Sequence, residues 1–397
     1  MTPSAPDPVT LWLSCHVDYA CRHSGACCRS GWPLPVDAEA VSAIDQAVVR
    51  GRVWTADGRV NWLDEAPGGD GAAGTFRQVD GGCIFHTAMR LDAAGRVHGC
   101  AVHTALGHAA LPASCQHFPR VCLIDDRGVR VSLSHYCPTA AQMIVDSDGP
   151  VTVVAGPPAV PGRAVPEGLD AREALPPRLT EHVLMDLEGL TAWERHVVAS
   201  LAGPPAEVTP ELALAQVSAD ARQVAAWTPA SKTSLACAVA ALCHDRPTDA
   251  VAAAERLAQA SAWPAWFALA ASTCRGAWLA DYPPATLADA DARYVVPVWP
   301  RHAGAVRRYL AAKAFGSWIT YQADAAVSLA AWLTLCLAVV RIEATRACQA
   351  ASRPLDRDLL VQAIRQSDLL LCHYADSLAM ARRLSAATSS PAARRSS

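Results

Sequence analysis

Along the second half of the chain, apolar residues recur at helical intervals. Val183, Leu187, Leu190, Val197 and Leu201 keep spacings of three, four and seven, which line one face of a helix, and Gly203-Pro204-Pro205 ends it. The same pattern predicts helices near 210–226, 230–244, 247–260, 303–319, 323–350 and 356–386, with Thr209-Pro210 and Ser352-x-Pro354-x-Asp356 as helix starts. The most apolar stretch, Ala325 to Val340, is sixteen residues long and contains Ser328 and Thr334. It falls short of the ~20 residues that span a bilayer and reads as a buried core helix.

Before residue 148 the period shortens to two. Val121–Ile124 and Val129–Leu133 flank Asp125-Asp126-Arg127-Gly128 and read as strand, turn, strand. Met89-Arg90-Leu91 with Arg96-Val97-His98, and Arg52-Val53-Trp54 with Val60-Asn61-Trp62, read the same way across Asp92–Gly95 and Asp57-Gly58. Helices are expected at 37–50 and 101–110.

These patterns divide the chain. Residues 1–148 predict a small, irregular cysteine-rich metal-binding domain with short hairpins. Residues 149–178 hold seven prolines and predict an extended connector. Residues 179–387 predict an α-helical domain, and 388–397 a disordered Ser/Ala/Arg tail. The expected fold class is therefore mainly α. Eight of the twelve tryptophans fall in the helical half and are expected to fill its core. No internal repeat has a solenoid period.

Composition narrows the function classes. A formal net charge of -3 over 397 residues carries no electrostatic footprint for nucleic acid. The first fifteen residues have no basic and apolar signal pattern, so a cytoplasmic protein with reduced thiols is expected. No membrane association is expected either. Of fifteen cysteines, nine lie within the first 137 residues. They begin Cys15-x5-Cys21-x5-Cys27-Cys28 and continue with Cys83, Cys100, Cys115, Cys122 and Cys137. Soft thiolates returning from separate loops are what a zinc or iron–sulfur centre needs. The spacing matches no zinc ribbon, no ferredoxin run and no C-x3-C-x2-C triplet, so the metal, and whether there are one or two centres, stays open.

The motifs around these cysteines resemble a known family. Cys27-Cys28-Arg29-Ser30-Gly31-Trp32 is similar to the CC-x-GW segment of flagellin lysine-N-methylases, and Gly82-Cys83-Ile84-Phe85 to their G-x-C-x-F step. Cys100 with Leu106-Gly107, then Cys115 with Phe118-Pro119-Arg120, resembles their next run, and Ser132-Leu133-Ser134 with Cys137-Pro138-Thr139-Ala140 their closing stretch. The framework also resembles, more loosely, the broad cysteine-cluster family of zinc- or iron-chelating proteins. Departures are the five residues between Cys21 and Cys27, Thr139 in place of a glutamate, and the extra Cys122. After residue 149 the best-matching fragment is Arg308-Tyr309-Leu310 with Phe315.

The resemblance implies an iron–sulfur cluster, 4Fe-4S in type with zinc as the alternative. It further implies S-adenosylmethionine as methyl donor and lysine amines of a protein, flagellin or another, as acceptors. The expected metal ligands are Cys15, Cys21, Cys27, Cys28, Cys83, Cys100, Cys115 and Cys137. Gly31, Trp32, Phe118, Pro119 and Arg120 are expected around the cluster, with Trp32 excluding water and Arg120 offsetting thiolate charge. Cys122 and the six cysteines after residue 230 read as small core hydrophobes. Among the histidines His16, His23, His86, His98, His103, His108, His117 and His135, the best ligand candidates are His23 and His117, although a place beside the ligands or at the surface is favoured for each. Gly68–Gly74 reads as a flexible loop and not a cofactor loop, and no Walker A, GxSxG or HExxH motif is present. A methyl donor must therefore bind at the cysteine domain or at its junction with the helices. The expectations are an iron–sulfur-dependent protein lysine N-methyltransferase and, as the alternative, a non-enzymatic metal-chelating module whose helices bind a partner. Electron transfer is a third.

Overall fold

A computed structural model of the chain describes residues 8–22, 24–65, 72–91, 97–162, 166–203, 208–242, 248–274 and 287–389. Among these residues fifteen α-helices and five small sheets form, so the architecture is mainly α.

Most of the apolar stretch lies in the helix Val327–Ala351, which runs 25 residues and packs against seven of the other helices among the described residues. By length and composition it could cross a membrane, but 94% of its most apolar window is buried inside the protein. Leu333, Leu335, Val339 and Val340 are fully buried, each contributing about 1.5–3 kcal/mol. Arg341 is tolerated inside because Asp291 pairs with it through two bonds of 2.7 and 3.0 Å. Its guanidinium also lies 4.3 Å over the Trp299 ring and 5.2 Å over that of Trp263. These buried tryptophans fill the core, as expected.

Local chemistry sets the helix ends. Asp186 accepts from Gly189 N and starts Leu187–Ala202. Thr209 and Asp356 start Pro210–Ala225 and Arg357–Asp368 in the same way. Val183 falls outside its expected helix, in the two-residue strand Val183–Leu184. The helix expected over 230–244 shrinks to Leu235–Ala240. The helix expected over 303–319 stops at Ala314. Gly316 follows with φ +61°, where a Cβ would stand 3.1 Å from the Cβ of Arg130, so only glycine turns the chain there. The segment 356–386 is interrupted by a π-helical turn, Leu369–Tyr374. Helices over Ala113–His117, Pro138–Asp146, Trp263–Ala271 and Leu287–Tyr294 were not signalled by the pattern.

The largest sheet has five strands in the order Val153–Ala155, Thr10–Leu13, Gly128–Leu133, Arg120–Asp125 and Leu169–Asp170. Its centre is the expected hairpin, with Arg120–Asp125 antiparallel to Gly128–Leu133. Both edge strands come from the proline-rich segment. The strands His86–Leu91 and Val97–Cys100 also pair antiparallel, and their turn lies outside the described residues. The third expected hairpin does not form. Residues 52–62 make a loop closed by Thr55 Oγ1 donating to Arg59 O at 2.7 Å. The loop delivers Trp62 into a cluster with Phe76 and Phe85, where it donates to Asp45. Gly68–Gly71 and residues 390–397 lie outside the described residues, while Thr388 and Ser389 close the helix Ser377–Ser389.

Two buried polar nodes fasten the sheet to the helices. Arg130 donates to Glu194 at 2.8 Å and to Asp125 at 3.2 Å. Asp368, fully buried, accepts from Lys313 Nζ at 2.7 Å, Tyr309 OH at 2.7 Å and His135 N at 2.5 Å. Burial alone would raise the Asp368 carboxyl, but the Lys313 ammonium and His135 hold it well below the usual carboxylate range. Lys313→Met would strand that charge and should cost about 3–5 kcal/mol in chemical denaturation. The double variant Lys313→Met/Asp368→Leu should recover a large part of the loss; strictly additive losses would show that the pair is not coupled.

Candidate functional site

Cys27 and Cys28 occupy one 3-10 turn, Cys27–Arg29. Cys83 ends the short strand Gly82–Cys83, which packs on that turn. Cys100 closes the strand Val97–Cys100 and caps the helix Ala101–Leu106, its Sγ accepting from His103 N at 3.5 Å. Cys115 lies on Ala113–His117. These segments bring five thiols into one electrostatic group.

Sγ of Cys27 lies 3.9 Å from Sγ of Cys28. The Cys28 thiol is hydrogen-bonded to both Cys27 and Cys100 and lowers the pKa of each, while its own is pushed far up by holding the shared proton. Burial pushes Cys83 up to about 12 and Cys115 well above the ordinary thiol value, and Cys27 and Cys100 add to both. Each deprotonation in the group therefore opposes the next.

A smaller group faces it. Tyr19 OH lies 3.5 Å from Cys137 Sγ, and the Arg120 guanidinium sits 5.3 Å over the Tyr19 ring. Burial weakens the Arg120 cation, while Tyr19, Cys122, Cys21 and Cys137 attract it. Both groups line one cavity of about 730 Å³, whose wall includes Cys21, Cys27, Cys28, Cys100, Cys115 and Cys137. Cys83 is buried beside them. Cys15 stands apart, packed against the main helical core with Arg308 as its charged neighbour. Cys122 is buried in its strand, as expected.

The donor set fits a thiophilic metal chemically, since six thiols from separate segments meet at one cavity. Among the described residues, however, no three His, Cys, Asp or Glu side chains close around a point as a ligand shell.

Trp32 packs in the same cluster as the thiols and also reaches beyond it. Gly31, at φ +78°, turns the chain toward Trp32, which stacks on His373 of the π-helical turn with centroids 4.3 Å apart. Tyr136 and Phe118 complete that contact at 5.3 and 6.0 Å from Trp32. Trp32 thus covers the seam between the cysteine-bearing loops and the helices. Phe118 and Arg120 do reach the thiol cavity, and Pro119 accepts from Ser134 N through its carbonyl. His103 and His108 lie on the cavity wall. His117 accepts from Glu167 N at 3.1 Å and faces a second cavity, and His23 lies outside the described residues.

That second cavity, about 630 Å³, lies between the sheet and the helices. Lys313, Cys372 and His373 line it, with Lys313 Nζ 3.3 Å from Cys372 Sγ. The sequence pattern singles out none of the three, and it reads Cys372 as a small core hydrophobe. One signal was available: of 34 basic residues only Lys232 and Lys313 are lysines, and Lys313 sits inside an apolar helix.

No family model, curated protein or solved structure matches this chain.

His373 donates to or accepts from Ser134 Oγ at 2.7 Å. Burial lowers its pKa to about 4 from 6.5, with Asp368 opposing and Lys313 reinforcing. The unfolded imidazole takes up its proton near 6.5, so stability is complete above that pH and declines as pH falls toward 4. The loss should be on the order of 2–3 kcal/mol. His373→Gln should flatten that decline in urea unfolding across the interval; an unchanged slope would assign the pH dependence to other groups.

Proposed function

We propose that this chain is a thiolate metalloprotein whose centre occupies the cysteine-lined cavity. The observation that carries the reading is the gathering of Cys21, Cys27, Cys28, Cys100, Cys115 and Cys137 around one cavity. Two thiolates on one tetrahedral ion lie roughly 3.8 Å apart, from metal–sulfur distances of about 2.3 Å, and Cys27 and Cys28 stand 3.9 Å apart. A bound cation would remove the mutual opposition of the thiols to deprotonation.

The motif resemblance supports an iron–sulfur-dependent protein lysine N-methyltransferase using S-adenosylmethionine. An iron–sulfur cluster would supply a redox-active centre at the thiols; the chain's own residues do the rest. Arg120 places a cation beside Cys21 and Cys137, and the Tyr19 hydroxyl reaches Cys137. Phe118 covers the cavity on one side. At about 730 Å³ the cavity exceeds the needs of a metal centre, which leaves room for a donor and an amine. The alternative, a non-enzymatic zinc- or iron-chelating module with a helical partner-binding body, needs only the thiols.

Metal and acid-labile sulfide analysis of anaerobically purified full-length protein tests both readings. About four irons with matching sulfide are expected for the methyltransferase, and stoichiometric zinc without sulfide would select the chelating module. Cys28→Ser should lose the metal and Cys122→Ala should keep it. Protein that carries neither metal nor sulfide would remove the proposal.

A further inference from the structure

Lys313 and Cys372 meet on the wall of the cavity between sheet and helices. Lys313 sits in the last turn of the helix Ala303–Ala314, and Cys372 on the π-helical turn Leu369–Tyr374. Nζ lies 3.3 Å from Sγ, and Asp368, the residue before the turn, accepts from the same Nζ at 2.7 Å. The lysine is buried, whereas Cys372 keeps part of its surface exposed. The rest of the wall is mostly apolar, with Phe315, Trp318, Ile319 and Trp332 prominent. A small neutral oxidant such as dioxygen enters such a space without the desolvation cost that an ion meets.

The pair is singular in this chain. Of its two lysines, Lys232 is exposed, and Lys313 is the one that reaches a thiol among the described residues. Burial pushes the Cys372 thiol up to about 12. Burial also works against the Lys313 charge, but Asp368 overrides it and holds the ammonium above its usual range. The resting cluster is therefore a thiol, an ammonium and a carboxylate.

We propose that Lys313 and Cys372 form a site of oxidative cross-linking, in which one oxygen atom taken from dioxygen bridges Nζ and Sγ. The O–O bond breaks, and N–O and O–S bonds form. Sulfur and nitrogen each give two electrons, and dioxygen takes all four, its second oxygen leaving as water. Four protons start on nitrogen and sulfur. Two go into that water, one stays on the bridging nitrogen and one passes to Asp368. The carboxylate is placed to receive it, because Oδ2 already accepts from Nζ and burial favours its neutral form. The bridge ties the helix to the π-helical turn and removes the Lys313 cation together with the charge that balances it. The inference does not depend on the metal reading, because neither residue is among the proposed ligands.

Full-length protein held in air-saturated buffer, beside an aliquot kept anaerobic, tests this by peptide mapping after thiol alkylation without reductant. The expected product joins the tryptic peptides of Lys313 and Cys372, with one oxygen more and two hydrogens fewer than their sum. Trypsin should no longer cut after Lys313, and dithiothreitol should release both peptides. Cys372→Ser should lose the product altogether; the native chain decides the matter by itself if that variant fails to fold. Four results would overturn the inference. They are an unchanged Cys372 after air exposure, sulfinic or sulfonic acid on an unlinked Cys372, a link that lacks the added oxygen, or the same link in folded Cys372→Ser.

Discussion

A carboxylate held away from water must be met on every side, and Asp368 is met from three. Lys313 and Tyr309 reach it from the helix Ala303–Ala314, and His135 reaches it from the loop that leads to Cys137. Each partner fixes one element in register with the others. His135 holds the backbone at the start of the segment that carries Tyr136 and Cys137. Through that loop, the aromatic seam around Trp32 and the thiol facing Tyr19 are tied to a charge in the helical core. Removing the ammonium would leave the carboxylate with neutral partners only, in surroundings that penalise its ionised form.

The thiol group follows a different logic. Apolar side chains pack by shape, but Cys27, Cys28, Cys83, Cys100 and Cys115 are coupled through protons. Cys28 interacts with two neighbouring thiols, and the acidity of Cys27 and Cys100 comes with a thiol beside them that resists ionisation. Such a set has no arrangement in which all members are at rest as anions without a cation among them. The neighbouring cavity contrasts with it: its walls are mostly apolar, with Phe315, Trp318 and Trp332 among them.

Much of this was legible in the sequence, where a short-range rule decides the outcome. The hairpin at 120–133, the caps at Thr209 and Asp356, and the core helix through Val340 all follow from neighbouring residues. The six cysteines that reach one cavity come from distant segments, and there only the density of thiols before residue 138 is a signal. The loop at 52–62 was misread because the turn signal at Asp57-Gly58 is real, while the fate of Trp62 is set by Phe76 and Phe85, which lie beyond the window of any local pattern. The break at Gly316 depends on Arg130 from the sheet, and the Lys313–Asp368–His135 node joins three distant segments. Trp32 carried a readable motif, but its partner His373 is far along the chain. Cys15 belongs to the motif order and yet packs with the helices, since the strand Thr10–Leu13 draws it to the sheet.

The proline-rich segment has a role that composition alone does not suggest. It supplies the strands at both margins of the five-stranded sheet, Val153–Ala155 on one side and Leu169–Asp170 on the other. These margins are three and two residues long, and Pro157, Pro158 and Pro166 stand close to them in the chain. A sheet bordered by such short runs presents few open amides and carbonyls in a row. Another copy of the chain, folded or half-folded, finds little template for edge-to-edge pairing, so the connecting segment also guards the sheet against self-association.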